Sequence, residues 1–184
     1  MAAASPKIRF ERLFSLYRAN VVAYFKRRLG NSDDALDAAA DVFLIVWRRI
    51  ESVPSGYELP WIYGVCRRVL YNVNRSQRRR GRLSARLASL ASEERLDPAD
   101  AIRVAEEHAA VVRSVGLLSP GDQEVLRLVA WENLGSEELA VALGCTVHAA
   151  RQRLYRAQRR LKRLLAESGH EDHARSRDET QPDA

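Results

Sequence analysis

Apolar residues recur every three or four positions along most of the chain, which is the period of an amphipathic helix. The first apolar stripe extends to Gly30 and consists of Phe10, Leu13, Phe14, Tyr17, Val21 and Phe25. Ser5 followed by Pro6 is typical of a helix start, and Asn31 with acidic residues after it predicts a second start. The stripe of this second helix consists of Leu36, Phe43, Trp47 and Ile50. No segment has the sustained alternation of a strand, so the pattern predicts an all-α fold.

The helical period is interrupted at two places. Residues 51–60 contain two prolines and a glycine and predict a loop, after which a third helix begins near Trp61. Later, small and charged residues replace the apolar stripe until Pro98, and Ser119 followed by Pro120 predicts another helix start. The chain therefore divides into a helical domain over residues 6–80, a linker over 81–98, a second helical domain over 99–167 and a disordered tail over 168–184.

The composition is that of a globular protein, because 46% of the 184 residues are hydrophobic and 29% are charged. The longest uncharged apolar run, Val42–Trp47, is far shorter than the roughly 18–20 residues of a membrane span. The first residues contain no apolar signal region, so we expect a cytoplasmic protein without membrane insertion. Cys66 and Cys145 lie far apart, and we interpret them as two buried thiols rather than as a disulfide or a metal site.

The net charge of +6 conceals a strong segregation of charge. Residues 67–86 contain eight arginines and no acidic residue. Residues 147–166 contain six arginines and one lysine, again without an acidic residue, so the rest of the chain carries a net charge of −9. Two such basic segments indicate binding to a polyanion, although two solvated, arginine-rich helical faces are the alternative.

Residues 136–157 have the spacing of a helix-turn-helix motif. This motif needs a small residue where its helices cross, a glycine at the turn and a small residue on the second helix, and Ala140, Gly144 and Ala150 supply them. We expect Ser136 to cap the first helix and Thr146 to cap the second. The alternative is an ordinary pair of helices with an arginine-rich exterior.

The second helix of this motif presents polar side chains on one face near its N-terminal half: Arg151, Gln152, Tyr155 and Arg156. This arrangement suits entry into a major groove, where arginine and glutamine can make paired contacts with guanine and adenine. The cations that remain would then lie over phosphates. His148, near the start of the helix, is either a phosphate contact or a solvated side chain.

The N-terminal half narrows the function. Asp37–Trp47, the loop after it, and Trp61–Arg75 with its trailing arginines resemble region 2 of the bacterial RNA polymerase sigma factors, and Leu117–Leu165 resembles region 4. The order and length of these segments are similar to the extracytoplasmic-function (ECF, group 4) class of the sigma-70 family, which keeps only these two regions. The resemblance implies an all-α protein of two small helical domains that binds core RNA polymerase and promoter DNA. It implies promoter-specific initiation through −35 and −10 elements.

The resemblance also implies where the polymerase binds. The second helix would dock on the clamp coiled coil of the largest polymerase subunit, with Asp37 and Asp41 at contact positions and Ala40 where the family usually has glutamine. Phe43 and Trp47 match core positions of the family, and their helical spacing predicts packing. Region 4 would contact the polymerase flap, and the family is typically held inactive by an anti-sigma factor.

The third helix would handle the −10 element, where an unstacked base is captured and cations hold the exposed strand. The matching positions are Trp61, Arg67, Arg68, Tyr71, Asn72, Arg75, Arg78, Arg79 and Arg80. Trp61 and Tyr71 suit either core packing or strand contact. The family commonly has asparagine in place of Arg68 and aspartate in place of Asn72. For the −35 element, Arg151, Gln152, Tyr155 and Arg156 would lie near the bases, and the phosphate candidates are Arg153, Arg159 and Arg160.

Two other classes of protein remain to be weighed. A helix-turn-helix regulator of the LuxR-like kind, with a helical sensor domain, would also bind DNA, but a sensor should show a ligand pocket or a phospho-acceptor pattern. An enzyme would need a nucleophile set, a metal-ligand set or a glycine-rich phosphate loop, and the four histidines form no such set. We therefore expect no enzymatic activity, no cofactor and no bound metal.

Overall fold

The computed structural model describes residues 5–84 and 111–178, with side chains over residues 5–76 and 111–167. These residues form two units. One unit contains residues 5–84 and 134–147, and the other contains residues 111–133 and 148–178. Within the described part of the chain, all regular structure is helical, as the apolar period predicts.

The first unit contains four α-helices and one short turn of 3-10 helix. The α-helices are α1 (Pro6–Lys26), α2 (Ser32–Arg48), α3 (Glu58–Ser84) and α5 (Ser136–Leu143), and the 3-10 turn is Ile50–Ser52. Both predicted N-terminal helix starts are confirmed, because Ser5 precedes α1 with Pro6 in its first turn, and the Asn31 side chain accepts a hydrogen bond from the Asp33 amide at 2.9 Å. The loop over residues 51–60 is shorter than predicted, since α3 begins three residues before Trp61.

The core of the first unit lies where α1, α2 and α3 meet. The most deeply buried side chains are Val21, Tyr24 and Phe25 of α1, Val42 and Val46 of α2, and Ile62, Tyr63 and Cys66 of α3. The rings of Tyr24 and Tyr63 stack with their centroids 5.7 Å apart. Cys66 is a buried thiol, as expected, whereas Cys145 is only partly buried.

The second unit contains α4 (Pro120–Ala130), α6 (Val147–Asp178) and a helical segment over residues 111–117. The predicted start at Ser119 is confirmed, because its hydroxyl oxygen accepts a hydrogen bond from the Asp122 amide at 3.2 Å and Pro120 lies in the first turn. Leu128 and Ala157 are fully buried. None of the helices in the described part of the chain has the length and apolar character needed to cross a bilayer.

Helix ends differ from the sequence pattern at three places. Ser136 is the first residue of α5 rather than its cap, because Gly135 occupies the cap position and its amide donates to the Glu138 carboxylate at 2.8 Å. α3 extends to Ser84 and α6 extends to Asp178, into the segments predicted as linker and tail. A helix that is already formed gains one hydrogen bond with each added residue, so polar residues can extend it without an apolar stripe. The rest of those segments, residues 85–98 and 179–184, lies outside the described residues.

Candidate polymerase-binding and DNA-binding surfaces

The outer face of α2 is acidic and apolar at once. The helix buries Ala35, Ala38, Ala39, Val42, Phe43 and Val46 against the core. Asp37, Ala40 and Asp41 lie on the exposed side. Leu36 and Leu44 lie beside them with 45% and 53% of their surface exposed, although Leu36 was expected on the apolar stripe. Exposed leucines that flank carboxylates make this face suited to a protein partner.

Four aromatic rings join α1 to this face. Phe10 lies 5.2 Å from Trp47 and Phe14 lies 4.8 Å from Phe43, between ring centroids, in edge-to-face geometry. Phe43 is buried, as its spacing predicts, but Trp47 is 45% exposed. The prediction that Trp47 packs inside is therefore only half right, because one edge of the indole meets Phe10 and the rest lies at the surface.

A polar surface follows the exposed side of α3. Arg68, Tyr71, Asn72 and Arg75 are all exposed, at helical spacing that places them on adjoining positions. Tyr71 has 67% of its surface exposed, which favours strand contact over core packing for this ring. Trp61 is half-buried. Arg78, Arg79 and Arg80 also lie on α3, and their side chains are outside the described residues.

Arg67 differs from the other α3 arginines because its guanidinium is turned to α5. Its Nη1 donates to the carbonyl oxygen of Ala142 at 2.8 Å, and its Nε is buried without a hydrogen-bond partner. Gly64, one turn earlier, faces the same carbonyl. The sequence analysis missed this contact, since no local pattern pairs a residue of α3 with a carbonyl 75 positions later.

A tyrosine before α3 makes a second contact with α5. The hydroxyl of Tyr57 donates to Glu137 Oε2 at 2.7 Å. That hydrogen bond to a carboxylate, followed by the negative charge of Glu137, raises the pKa of the Tyr57 hydroxyl, because both favour its protonated form. An open cavity of about 400 Å³ lies beside this pair and is lined mainly by residues of α5 and the turn after it.

The turn after α5 is built on Gly144. Its φ of 63° and ψ of 44° lie in the left-handed region, which a glycine adopts without steric cost. The Cys145 amide donates to the Ala140 carbonyl at 3.0 Å and ends the helix. Ala140 is 4% exposed and Ala150, on α6, is fully buried. Thr146 directly precedes α6, in the position of a cap.

The first half of α6 exposes a basic face. Arg151, Gln152, Arg153, Tyr155, Arg156 and Arg159 are all exposed. Arg159 lies over the Tyr155 ring, 5.8 Å from its centroid. Arg160 is engaged within the protein instead, because its Nη1 donates to Asp122 Oδ2 at the start of α4. Asp122 is thus a functional neighbour that the sequence analysis missed, since only packing brings positions 122 and 160 together.

Comparison with known proteins matches both halves of the chain. The family model described as Sigma-70 region 2 matches residues 13–80, and the model described as Sigma-70, region 4 matches residues 108–161. The ECF RNA polymerase sigma factor BldN of Streptomyces coelicolor is 29% identical over 158 residues, which is 85% of this chain and 60% of BldN. RfaY of Xanthomonas campestris, described as a probable RNA polymerase sigma factor, is 32% identical over 136 residues, covering 70% of this chain and 33% of RfaY. The chain thus spans less than two thirds of each of these relatives.

Two solved structures share the fold. The sigma factor RpoE of Bartonella quintana, solved with the anti-sigma factor NepR, aligns with a TM-score of 0.55 at 21% identity, covering 85% of this chain and 96% of RpoE. CnrH, solved with the cytosolic domain of CnrY, aligns with a TM-score of 0.52 at 22% identity, covering 86% and 88%. With both sigma regions matched in order, and a named ECF relative along most of its length, the chain belongs to the sigma-70 family of RNA polymerase sigma factors and, within it, to the extracytoplasmic-function class.

Proposed function

We propose that the protein binds core RNA polymerase and directs promoter-specific transcription initiation, by recognising −35 and −10 elements and helping to melt the −10 DNA. The observation that carries this proposal is the placement of two exposed arginine-rich faces on α3 and α6, each inside a matched sigma region. We assign residues 6–80 to region 2 and residues 99–167 to region 4. The protein acts in the cytoplasm by binding, without catalysis of its own.

The α2 face is the proposed contact for the polymerase clamp coiled coil. Asp37 and Asp41 supply two carboxylates for basic or hydrogen-bonding partners. Ala40 between them offers no hydrogen bond where the family usually has glutamine, so more of the affinity must come from apolar burial. Leu44 and Trp47 are exposed on the same side and provide that apolar area.

The exposed side of α3 is the proposed contact for the −10 element. Tyr71 offers a flat ring on which a base of the opened strand can stack, and such stacking contributes roughly 1–3 kcal/mol per base. Arg68 and Arg75, on either side of the ring, place positive charge where the strand backbone would run. Asn72 carries an amide where the family commonly has a carboxylate, so the preferred −10 sequence should differ from that of typical relatives.

The first half of α6 is the proposed reader of the −35 element. Arg151, Gln152 and Arg156 extend from the N-terminal half of the helix, which is the part of a recognition helix that reaches base edges. Arg153 and Arg159 would bind phosphates. The flap of the polymerase would contact region 4, and an anti-sigma factor is a further proposed partner, since the structures of RpoE and CnrH described above are complexes with such proteins or parts of them.

Transcription in vitro tests the proposal. The protein is added to core polymerase that lacks other sigma factors, on a library of promoter fragments, and the 5′ ends of the transcripts are mapped. We expect specific starts that share motifs near −10 and −35. A LuxR-like regulator would give no specific start with core polymerase alone, and that outcome would refute the proposal.

A further inference from the structure

α5 is fastened to the N-terminal half of α3. A Cβ atom added at Gly64 would lie 3.0 Å from the carbonyl oxygen of Ala142, so the two helices meet at backbone distance. One turn further along α3, Arg67 donates to the same carbonyl oxygen at 2.8 Å. Tyr57 donates to Glu137 at 2.7 Å, at the other end of α5. These contacts hold α5 where the proposed −10 surface begins.

Under the proposed function, α3 and α5 act on different promoter elements. Elements centred near −35 and −10 lie about 25 base pairs apart, or roughly 85 Å at 3.4 Å per base pair. A duplex whose persistence length is about 150 base pairs does not fold back over this distance. Because α5 is the first helix of the helix-turn-helix motif, a molecule that holds both elements cannot keep Gly64 against Ala142.

We propose that this contact, formed by Gly64, Arg67 and Tyr57 with α5, is an autoinhibitory clasp that opens when the protein joins polymerase and DNA; the inference rests on the proposed function. In the closed state Arg67 is withheld from the −10 strand because its guanidinium is bound to Ala142. The surface from Arg68 onward remains exposed, so the clasp acts by holding α5 and Arg67. Only the open fraction of the free protein can bind both elements, and its apparent affinity falls in proportion to that fraction.

Substitution of Gly64 tests the clasp without touching a proposed DNA contact. In Gly64→Ala the new methyl group meets the Ala142 carbonyl, and in Gly64→Leu a larger side chain does so. Gly116→Ala is the matched control, because Gly116 is also helical and its added Cβ meets no atom within 4 Å. Thermal unfolding of each full-length variant verifies that it is folded.

Two readouts are needed. Amide hydrogen exchange of the free protein over residues 136–145 should become at least threefold faster in Gly64→Ala, faster still in Gly64→Leu, and stay unchanged in Gly116→Ala. The affinity of the free protein for a fluorescein-labelled, single-stranded 20-mer of mixed sequence should rise at least threefold in the Gly64 variants alone. Wild-type exchange over the same residues should also accelerate when core polymerase and promoter DNA are added.

The outcomes separate the clasp from the proposed function. Faster exchange without tighter DNA binding would overturn autoinhibition, and unchanged exchange in both Gly64 variants would overturn the clasp itself. In transcription with core polymerase, wild type and Gly64→Ala should give the same starts. Specific starts together with a failed exchange result leave the proposed function standing without the clasp, whereas an absence of specific starts from both proteins overturns the function on which the clasp depends.

Discussion

Replacing Arg160 with alanine should weaken the second unit more than it weakens DNA binding. The Arg160 guanidinium donates to Asp122, whose side chain is only 14% exposed, while that of Arg160 is 53% exposed. The same carboxylate oxygen accepts from the Ser119 hydroxyl at 2.9 Å. The arginine therefore ties α6 to the capped start of α4, although its position in the sequence suggests a phosphate contact.

The expected loss of stability is about 1 kcal/mol. A hydrogen bond to a charged group contributes roughly 1.5–3 kcal/mol, and an exposed ion pair only about 0.2–1 kcal/mol, because water screens it. Arg160 is more than one-third exposed, so the value should lie near the lower range. For a domain of roughly 60–100 residues, 1 kcal/mol lowers the Tm by about 4–8 °C.

Arg153→Ala is the matched control, because Arg153 is an exposed arginine on the same helix and its loss should change stability by less than about 0.5 kcal/mol. Thermal unfolding measures the Tm, and binding to duplex DNA is titrated with salt. Each phosphate contact contributes about 0.9 to the slope of log K against log salt. We expect Arg153→Ala to lose about that much slope and Arg160→Ala to keep it. A reduced slope with an unchanged Tm in Arg160→Ala would refute the reasoning.

Three further substitutions test the other surfaces and the core. Asp37→Ala with Asp41→Ala should reduce affinity for core polymerase about tenfold or more, measured by fluorescence anisotropy, with no change in Tm because both carboxylates are exposed; unchanged affinity would contradict the α2 assignment. Arg151→Ala with Arg156→Ala should weaken binding to −35 duplex DNA by roughly 1–3 kcal/mol for each lost base contact while core polymerase binding persists, and loss of polymerase binding would count against region 4 as the reader. Ile62→Ala, at a fully buried position of α3, should lower the free energy of unfolding in urea by about 2–5 kcal/mol, whereas a change below about 1 kcal/mol would show that the site repacks.

Helix starts and the helix-turn-helix could be predicted because their signals are local. Asn31 and Ser119 bind amides two or three residues away, so the neighbouring residues alone define the cap. Gly144 adopts a left-handed conformation that depends on the absence of its own side chain. In each case the physical cause lies within a few positions of the residue, where a sequence pattern can record it.

The contacts that change the interpretation of the site could not be predicted, because they are set by packing between distant segments. Arg67 and Arg160 belong to uniform arginine-rich stretches, yet each is bound to a single acceptor of another helix. Periodicity placed Trp47 on the buried stripe of α2, but the neighbouring Phe10 covers only one edge of its ring. Which members of a repeating pattern stay free is decided by the neighbours that the fold supplies.

The half-exposed indole of Trp47 has a practical consequence. Tryptophan emission moves to shorter wavelength when water is removed from the ring, and Trp47 lies on the face proposed to meet the polymerase, with 45% of its surface still wet. Trp131, which is 46% exposed, can be replaced by phenylalanine to remove the emission of the second unit. The protein therefore contains its own optical reporter of α2 docking, and assembly with polymerase can be followed in real time without an attached dye, provided that polymerase emission is subtracted.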